Sequence, residues 1–243
     1  MENPVRLQKF LALSGLDSRR KCAFYIQKGQ VKVNGRVQKE PWFMIDVNKD
    51  HIICQGKKVF VKPKIYLMLN KPANCVTTVS DPEGRKTVMD YLKGVNQTVY
   101  PVGRLDYDSE GLVLFTNDGE LTYKMLHPRF KVEKTYEVLV DRALEDKEQR
   151  RIEKGIFFEG KRTMPARLRN VKEFSDGRVI YNITVTEGRK HLVKNLFLAV
   201  GSRVKRLKRI KFGPLSIGVL KKGLYRLLSV SEIDKLYKLS GLK

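Results

Sequence analysis

Gly103-Arg104-Leu105-Asp106-Tyr107-Asp108-Ser109-Glu110-Gly111-Leu112-Val113-Leu114-Phe115-Thr116-Asn117-Asp118-Gly119 is the stretch on which the reading of this chain turns. Its first half is polar. From Gly111 to Phe115 it becomes a short apolar run, the pattern of a buried strand, and Glu120–Leu126 behind it reads as a helix. In an extended segment positions i and i+2 point to the same side. Arg104 and Asp106 then share a face, with the guanidinium holding the carboxylate ionised. Taken singly, an Arg-x-Asp pair is usually a structural or surface ion pair. In a chain of net charge +23, a pinned carboxylate points instead to chemistry on a polyanion.

The 243 residues allow one large domain, or a medium domain plus a small one. The 49 Lys and Arg against 26 Asp and Glu call for a polyanionic partner, most simply nucleic acid, with an anionic membrane as the other class. No apolar run is long enough to span a bilayer. The N-terminus reads directly as a folded helix rather than as a secretory signal, so a cytoplasmic protein is expected. Cys22, Cys54 and Cys75 are odd in number and widely spaced, which suits small buried thiols rather than disulfides or zinc. His51, His127 and His191 form no metal-binding pair in sequence, so neither metal nor cofactor is expected. A metal-dependent nuclease or deaminase would need a Cys/His or carboxylate cluster.

Residues 1 to about 60 read as a separate module. Leu7, Phe10 and Leu11 recur at helical spacing until Ser14-Gly15. Asp17 or Ser18 caps a second helix containing Ala23, Phe24 and Ile26, closed by Gly29. Val31 and Val33 alternate into Asn34-Gly35, a hairpin turn, with Val37 on the return strand. Ser18-Arg19-Arg20-Lys21 brings three cations to a helix N-terminus, where an RNA phosphate is welcome.

Val59–Pro63 reads as a linker. Strands are expected at 65–70, 111–115, 134–140, 166–171 and 179–186, and helices at 120–126, 144–154 and 192–200. The fold class is therefore α+β: a small helix-helix-hairpin domain over residues 1–60, then a second domain over 64–243 with a mixed, largely antiparallel central sheet. Between Gly188 and Arg226 lie twelve Lys or Arg and no Asp or Glu. Arg203, Lys205, Arg206, Lys208 and Arg209 are interleaved with Val204, Leu207 and Ile210, which reads as a strand with one cationic, phosphate-binding face.

The pieces Arg6-Leu7-Gln8-Lys9-Phe10-Leu11, Gly15-Leu16-Asp17-Ser18-Arg19-Arg20 and Gly29-Gln30-Val31-Lys32-Val33-Asn34-Gly35 resemble an S4 RNA-binding domain. That resemblance implies RNA contacts from Arg6, Lys9, Ser18, Arg19, Arg20 and Lys21. Three further segments, in order, are the opening stretch, Glu133-Lys134-Thr135-Tyr136-Glu137-Val138, and Glu187-Gly188-Arg189-Lys190-His191-Leu192-Val193-Lys194. Together they resemble the pseudouridine synthases of the RsuA/RluB type, which pair an S4 domain with a synthase domain. The resemblance implies that Asp106 is the catalytic aspartate and that Arg104 holds its carboxylate. It implies that Tyr136 stacks on the target base, that Val193 is the apolar floor beneath it, and that Lys194 is the basic partner of Asp106. Family members often carry Gln where this chain has Leu192, and Arg or Lys where it has Asn195.

The implied reaction breaks the N–C1′ bond of a uridine, turns the uracil and joins its C5 to C1′. No metal or nucleotide cofactor is required. A carboxylate serves as nucleophile toward C1′ or C6, or stabilises a sugar cation. A base buried in a helix cannot react, so it must be flipped out. The expected partner is ribosomal RNA or a ribosomal assembly particle, with 23S rRNA favoured, 16S rRNA as the alternative, and a monomeric enzyme. A non-enzymatic RNA-binding protein would explain the charge and residues 1–60 equally well. It would not explain why Arg104, Asp106, Tyr136 and Lys194 all occupy family positions.

Overall fold

The computed structural model describes residues 3–158 and 160–242. The chain divides into two compact units. The first runs through Ile65 and takes in Val95–Val99 and Asn117–Gly119; the second holds the rest.

The first unit comprises β1 (Val5–Arg6), α1 (Leu7–Leu13), α2 (Arg19–Gln27), β2 (Val31–Val33), β3 (Arg36–Gln38), β4 (Met44–Ile45), β5 (Ile52–Cys54) and β6 (Lys57–Val59). α1 buries Leu7, Phe10 and Leu11 at i, i+3, i+4 spacing, and Gly15 leaves it at φ +76°. Ser18 is the cap of α2, accepting from the Lys21 backbone N–H at 3.4 Å; the alternative, Asp17, instead accepts from the Tyr25 hydroxyl at 3.0 Å. α2 buries Cys22 and Ile26, one turn apart, and leaves Phe24 half exposed, so Phe24 is not part of the buried stripe.

Asn34 and Gly35 both take positive φ, the requirement of the tight turn joining β2 to β3. Gln55 and Gly56 repeat the device between β5 and β6. Val59 therefore pairs with Ile52 and belongs to the sheet, not to a linker. The order β3-β2-β5-β6 is antiparallel throughout.

The second unit comprises β7 (Tyr66–Lys71), β8 (Tyr100–Pro101), β9 (Glu110–Thr116), α3 (Gly119–Leu126), β10 (Lys134–Val140), α4 (Asp146–Lys154), β11 (Phe157–Phe158), β12 (Lys161–Arg162), β13 (Arg167–Glu173), β14 (Val179–Val185), α5 (Leu192–Leu198), β15 (Val204–Phe212), β16 (Leu215–Ser216), β17 (Tyr225–Leu227) and α6 (Val230–Ser240). The main sheet runs β13-β14-β10-β15-β9-β7-β17, with β8 beside β9 and β16 beside β15. Every pair is antiparallel except β15 with β9, so the fold is α+β with a mixed, largely antiparallel sheet.

Two cores lie along this sheet. One gathers Val138, Tyr181, Ile183, Leu196 and Phe197; the other gathers Met68, Leu112, Leu114, Leu121, Phe212 and Leu236. β9 is buried at all seven positions, as its unbroken apolar run requires of a central strand. At the β9–β15 crossing Gly111 sits opposite Arg209, at φ +106°. A Cβ there would lie 2.3 Å from the Arg209 carbonyl oxygen, so only glycine permits this approach.

Candidate active site

Asp106 stands in the loop between β8 and β9, and that loop is held from beneath by a lysine. Lys71, the last residue of β7, is fully buried. Its ammonium donates to the carbonyls of Ser109 at 2.7 Å, Pro72 at 3.0 Å, Asp106 at 3.1 Å and Tyr107 at 3.3 Å. Burial pulls its pKa down to about 8, and the carboxylates of Asp108, Glu110 and Asp106 work against that. Thr77 adds a second clamp: its hydroxyl donates to the Leu105 carbonyl at 2.8 Å and accepts from the Leu105 N–H at 3.2 Å. The loop backbone is thus fixed before any substrate arrives, as a preorganised site requires.

The start of α5 supplies the partners of the carboxylate. His191 takes the left-handed conformation at φ 54°, and its Nδ1 lies 3.0 Å from Asp106 Oδ2. Lys194 Nζ lies 3.7 Å from the same oxygen and donates to both oxygens of Asp108 at 2.6 and 2.8 Å. Burial raises the pKa of Asp108, but the Lys194 hydrogen bond and charge outweigh it, and the net shift is downward. Among the described residues Arg104 makes no ion pair with Asp106. It is exposed at the rim, in a loop that lies outside any strand and that Gly103 enters at φ +77°.

A cavity of about 430 Å³ opens beside this carboxylate, a size suited to a nucleoside. Arg104, Asp106, Tyr136, Lys134, Val193 and Arg209 are among the residues that line it. Tyr136, on β10, is half-buried and packs against the adjoining core while lining the cavity; Val193 is buried. The structure therefore brings together Arg104, Asp106, Tyr136 and Val193 around one cavity, with Lys194 at the carboxylate.

The basic candidates are more scattered. Arg6, Ser18, Arg19, Arg20 and Lys21 are exposed on the first unit, and Lys9 is half-buried there. Arg203, Lys205 and Arg206 are exposed on the second, with Arg206 paired to Glu137 at 3.0 Å, and Lys208 is half-buried. Arg209 departs from the expected cationic surface. It shares the strand face of Leu207 and is only 2% exposed, so it belongs to the cavity rather than to solvent.

Three residues escaped the sequence reading. Lys71 had one signal, a cation closing an otherwise apolar strand ahead of Pro72. Lys134 and His191 had none, since a lysine beginning a strand and a lone histidine are ordinarily solvated.

A basic helix-hairpin module and a sheet whose central loop presents a clamped carboxylate to a nucleoside-sized cavity define the class: an α+β enzyme that acts on RNA. The family model described as RNA pseudouridylate synthase matches residues 65–199, and that of the S4 domain matches residues 5–50. The chain belongs to the RNA pseudouridylate synthase family and carries an S4 domain. It is 42% identical to an uncharacterized RNA pseudouridine synthase of Aquifex aeolicus (strain VF5), across 98% of this chain and 96% of that protein. It is 37% identical to ribosomal large subunit pseudouridine synthase B of Bacillus subtilis (strain 168), across 97% and 96%. A crystal structure of a pseudouridylate synthase superposes with a TM-score of 0.67 at 33% identity, covering 96% of this chain and 99% of that one. Among the described residues no helix is long and apolar enough to cross a membrane.

Proposed function

We propose that this enzyme isomerises one uridine of ribosomal RNA to pseudouridine, with large-subunit RNA as the substrate and Asp106 as the catalytic carboxylate. The observation that carries the reading is the Asp106 carboxylate itself. It stands on a clamped loop at a nucleoside-sized cavity, with His191 at 3.0 Å and Lys194 at 3.7 Å. His191 and Lys194 hold the carboxylate in place at the cavity, where it can serve as nucleophile toward C1′ or C6. The likeness to the Bacillus subtilis large-subunit synthase along nearly the whole chain supports the choice of RNA.

The flipped uridine enters with its base against Tyr136 and Val193. Stacking offsets part of the cost of leaving the helix. The N1–C1′ bond breaks with its electron pair leaving on the uracil, the uracil turns within the pocket, C5 bonds to C1′, the C5 proton leaves to water and N1 takes one up. Arg104, exposed on the rim, meets the RNA strand rather than the carboxylate. Residues 1–60 form the RNA-binding domain and 64–243 the catalytic domain. Arg6, Lys9, Arg19, Arg20, Lys21, Arg203, Lys205, Arg206 and Lys208 contribute phosphate contacts, and the enzyme works as a cytoplasmic monomer.

Transcribed 23S and 16S rRNA labelled with 5-tritiated uridine test this directly. The enzyme should release tritium from the 23S transcript, and Asp106→Asn should release none while binding RNA with near-unchanged affinity. Undiminished release by Asp106→Asn would falsify the assignment of the carboxylate, and release from 16S RNA alone would reassign the substrate.

A further inference from the structure

Two cations at the bottom of the cavity have no counter-ion. Arg209 is 2% exposed and Lys134 7% exposed. Arg209 donates through Nε to the Leu112 carbonyl at 2.8 Å, while its Nη2 is buried with no partner. Lys134 donates to the Val132 carbonyl at 3.1 Å. Both side chains lie over the Phe212 ring, at 4.8 Å for Arg209 and 5.7 Å for Lys134. Neither forms an ion pair among the described residues. The nearby Glu187 has one carboxylate oxygen engaged by the Met164 N–H at 2.8 Å. Two like charges buried side by side without an ion-paired anion are costly to the fold, and the Glu187 charge offsets only part of that at Lys134. Their position is nevertheless built in, since Gly111 exists to let the Arg209 backbone approach β9. Arg209 and Lys134 both line the cavity, and the guanidinium still has a nitrogen without a partner, so a ligand oxygen in the cavity completes the set.

The ligand part that reaches this floor follows from exposure. Arg104 and Lys190 are exposed among the residues that line the cavity, so the phosphates of a bound RNA are met there. Only the base goes deeper. Uracil carries two carbonyl oxygens, and both possible routes of the reaction load them with charge. If the N1–C1′ pair leaves with the base, the negative charge spreads over O2 and O4. If Asp106 adds at C6, the electrons of the C5–C6 double bond move to O4. In either case the N1–C1′ bond breaks, C5 forms its bond to C1′ and loses its proton to water, and N1 gains one; in the second route loss of the C5 proton restores the C5–C6 double bond and expels Asp106 from C6.

We propose that Arg209 and Lys134 bind the carbonyl oxygens of the flipped uracil and stabilise the negative charge that develops on them during isomerisation. This rests on the pseudouridine synthase reading above. The two residues act as a fixed pair of donors aimed at developing charge, an arrangement that needs no reorganisation when the bond breaks.

The test uses the full-length enzyme, an rRNA transcript bearing the target uridine, and the same transcript made with 2-thiouridine or 4-thiouridine, whose sulfur is a weak acceptor. Arg209→Met and Lys134→Met should each slow single-turnover isomerisation at saturating enzyme by about 100-fold or more. RNA affinity and its salt dependence should stay within twofold, and Arg209→Lys should recover part of the rate. At least one thio substitution should slow the wild-type enzyme by about tenfold and slow Arg209→Met no further, because the contact is already gone.

Additive losses would overturn the proposal, as would weaker RNA binding with a reduced salt slope at an unchanged saturated rate, which would mark a phosphate site instead. Should Arg209→Met not fold, the same cycle on Lys134→Met decides, and a wild-type enzyme indifferent to both thio substitutions overturns the proposal by itself. Wild-type inactivity on the unmodified transcript would remove the synthase reading and this inference together. Wild-type activity with an additive cycle removes this inference alone.

Discussion

Lys71 shows how one buried charge shapes a loop that must not move. Its four carbonyl contacts converge on Pro72 and on the turn from Asp106 to Ser109. Methionine has a similar length and no donor. Lys71→Met should therefore lower the urea-unfolding free energy by about 2–4 kcal/mol, because buried carbonyls lose a charged donor. It should also reduce turnover with little change in RNA affinity, since Asp106 loses its fixed position rather than its phosphate contacts. Lys134 makes a pH-dependent contribution of known sign. Burial and the adjacent Arg209 charge pull its folded pKa down to about 8 from 10.5. Between those values the unfolded chain binds more protons than the folded one, so stability gains as pH rises through the window. The unfolding free energy of wild type relative to Lys134→Met should climb between about pH 8 and 10.5 and stay flat below pH 7, as read by urea titration at each pH. The site was legible in sequence where chemistry is concentrated in short motifs: Asp106, Tyr136 and Val193 do line one cavity. It was not legible where a charge is buried by tertiary packing. Nothing local tells that Arg209 turns inward, and Lys71 is marked only by its place at the end of an apolar strand before Pro72; Arg104 stands exposed at the rim instead of pairing with Asp106.

The elements that carry these side chains depend on a single close crossing. β9 and β15 are the one parallel pair of the main sheet, and they touch through Lys208 with Glu110 and Arg209 with Gly111. Gly111→Ala places a methyl within 2.3 Å of a backbone oxygen at a φ of +106° that L-residues avoid. Strain of this kind costs about 1–3 kcal/mol before the clash is counted. The variant should melt at a lower temperature than wild type. It should also turn over more slowly than its remaining folded fraction predicts, since Arg209 is displaced; a melting temperature and rate equal to wild type would show that the crossing tolerates a side chain. Strands of unbroken or alternating apolar character were readable: 111–115, 134–140 and 179–186 all fall within a residue or two of β9, β10 and β14. The second hairpin of the first unit, β11 with β12, β17 and α6 were not read. They are short or polar, and their order comes from turn geometry at Gln55-Gly56 and from a capping box between Ser229 and Glu232 rather than from periodicity.

At the scale of the whole molecule, charge and chemistry are separable. Residues 1–60 carry twelve Lys or Arg against five Asp or Glu, a larger imbalance per residue than the chain as a whole shows. The cavity in the second unit buries Lys134 and Arg209 and exposes Arg104 and Lys190 at its rim, whereas Arg19, Arg20 and Lys21 are all exposed along the first turn of α2. Exposed cations that neutralise phosphates release counterions, so each contributes to the slope of log affinity against log salt. Replacing all three with glutamine in the full-length enzyme should weaken binding to 23S transcript. It should also reduce that slope by about 2, taking roughly 0.7 per contact on single-stranded RNA. The helix cap at Ser18 and the buried stripe of Cys22 and Ile26 are untouched by these changes, so the melting temperature should hold. The isomerisation rate measured with enzyme in saturating excess should also hold, because no group at the Asp106 cavity has been altered. A filter-binding series from 50 to 400 mM KCl (about fifteen to five ångströms of screening length) reads the slope. A single-turnover time course at the lowest salt reads the rate. An unchanged slope would place the RNA contacts of this module elsewhere on its surface. A lost rate at saturation would mean that this helix positions the uridine as well as holding the RNA.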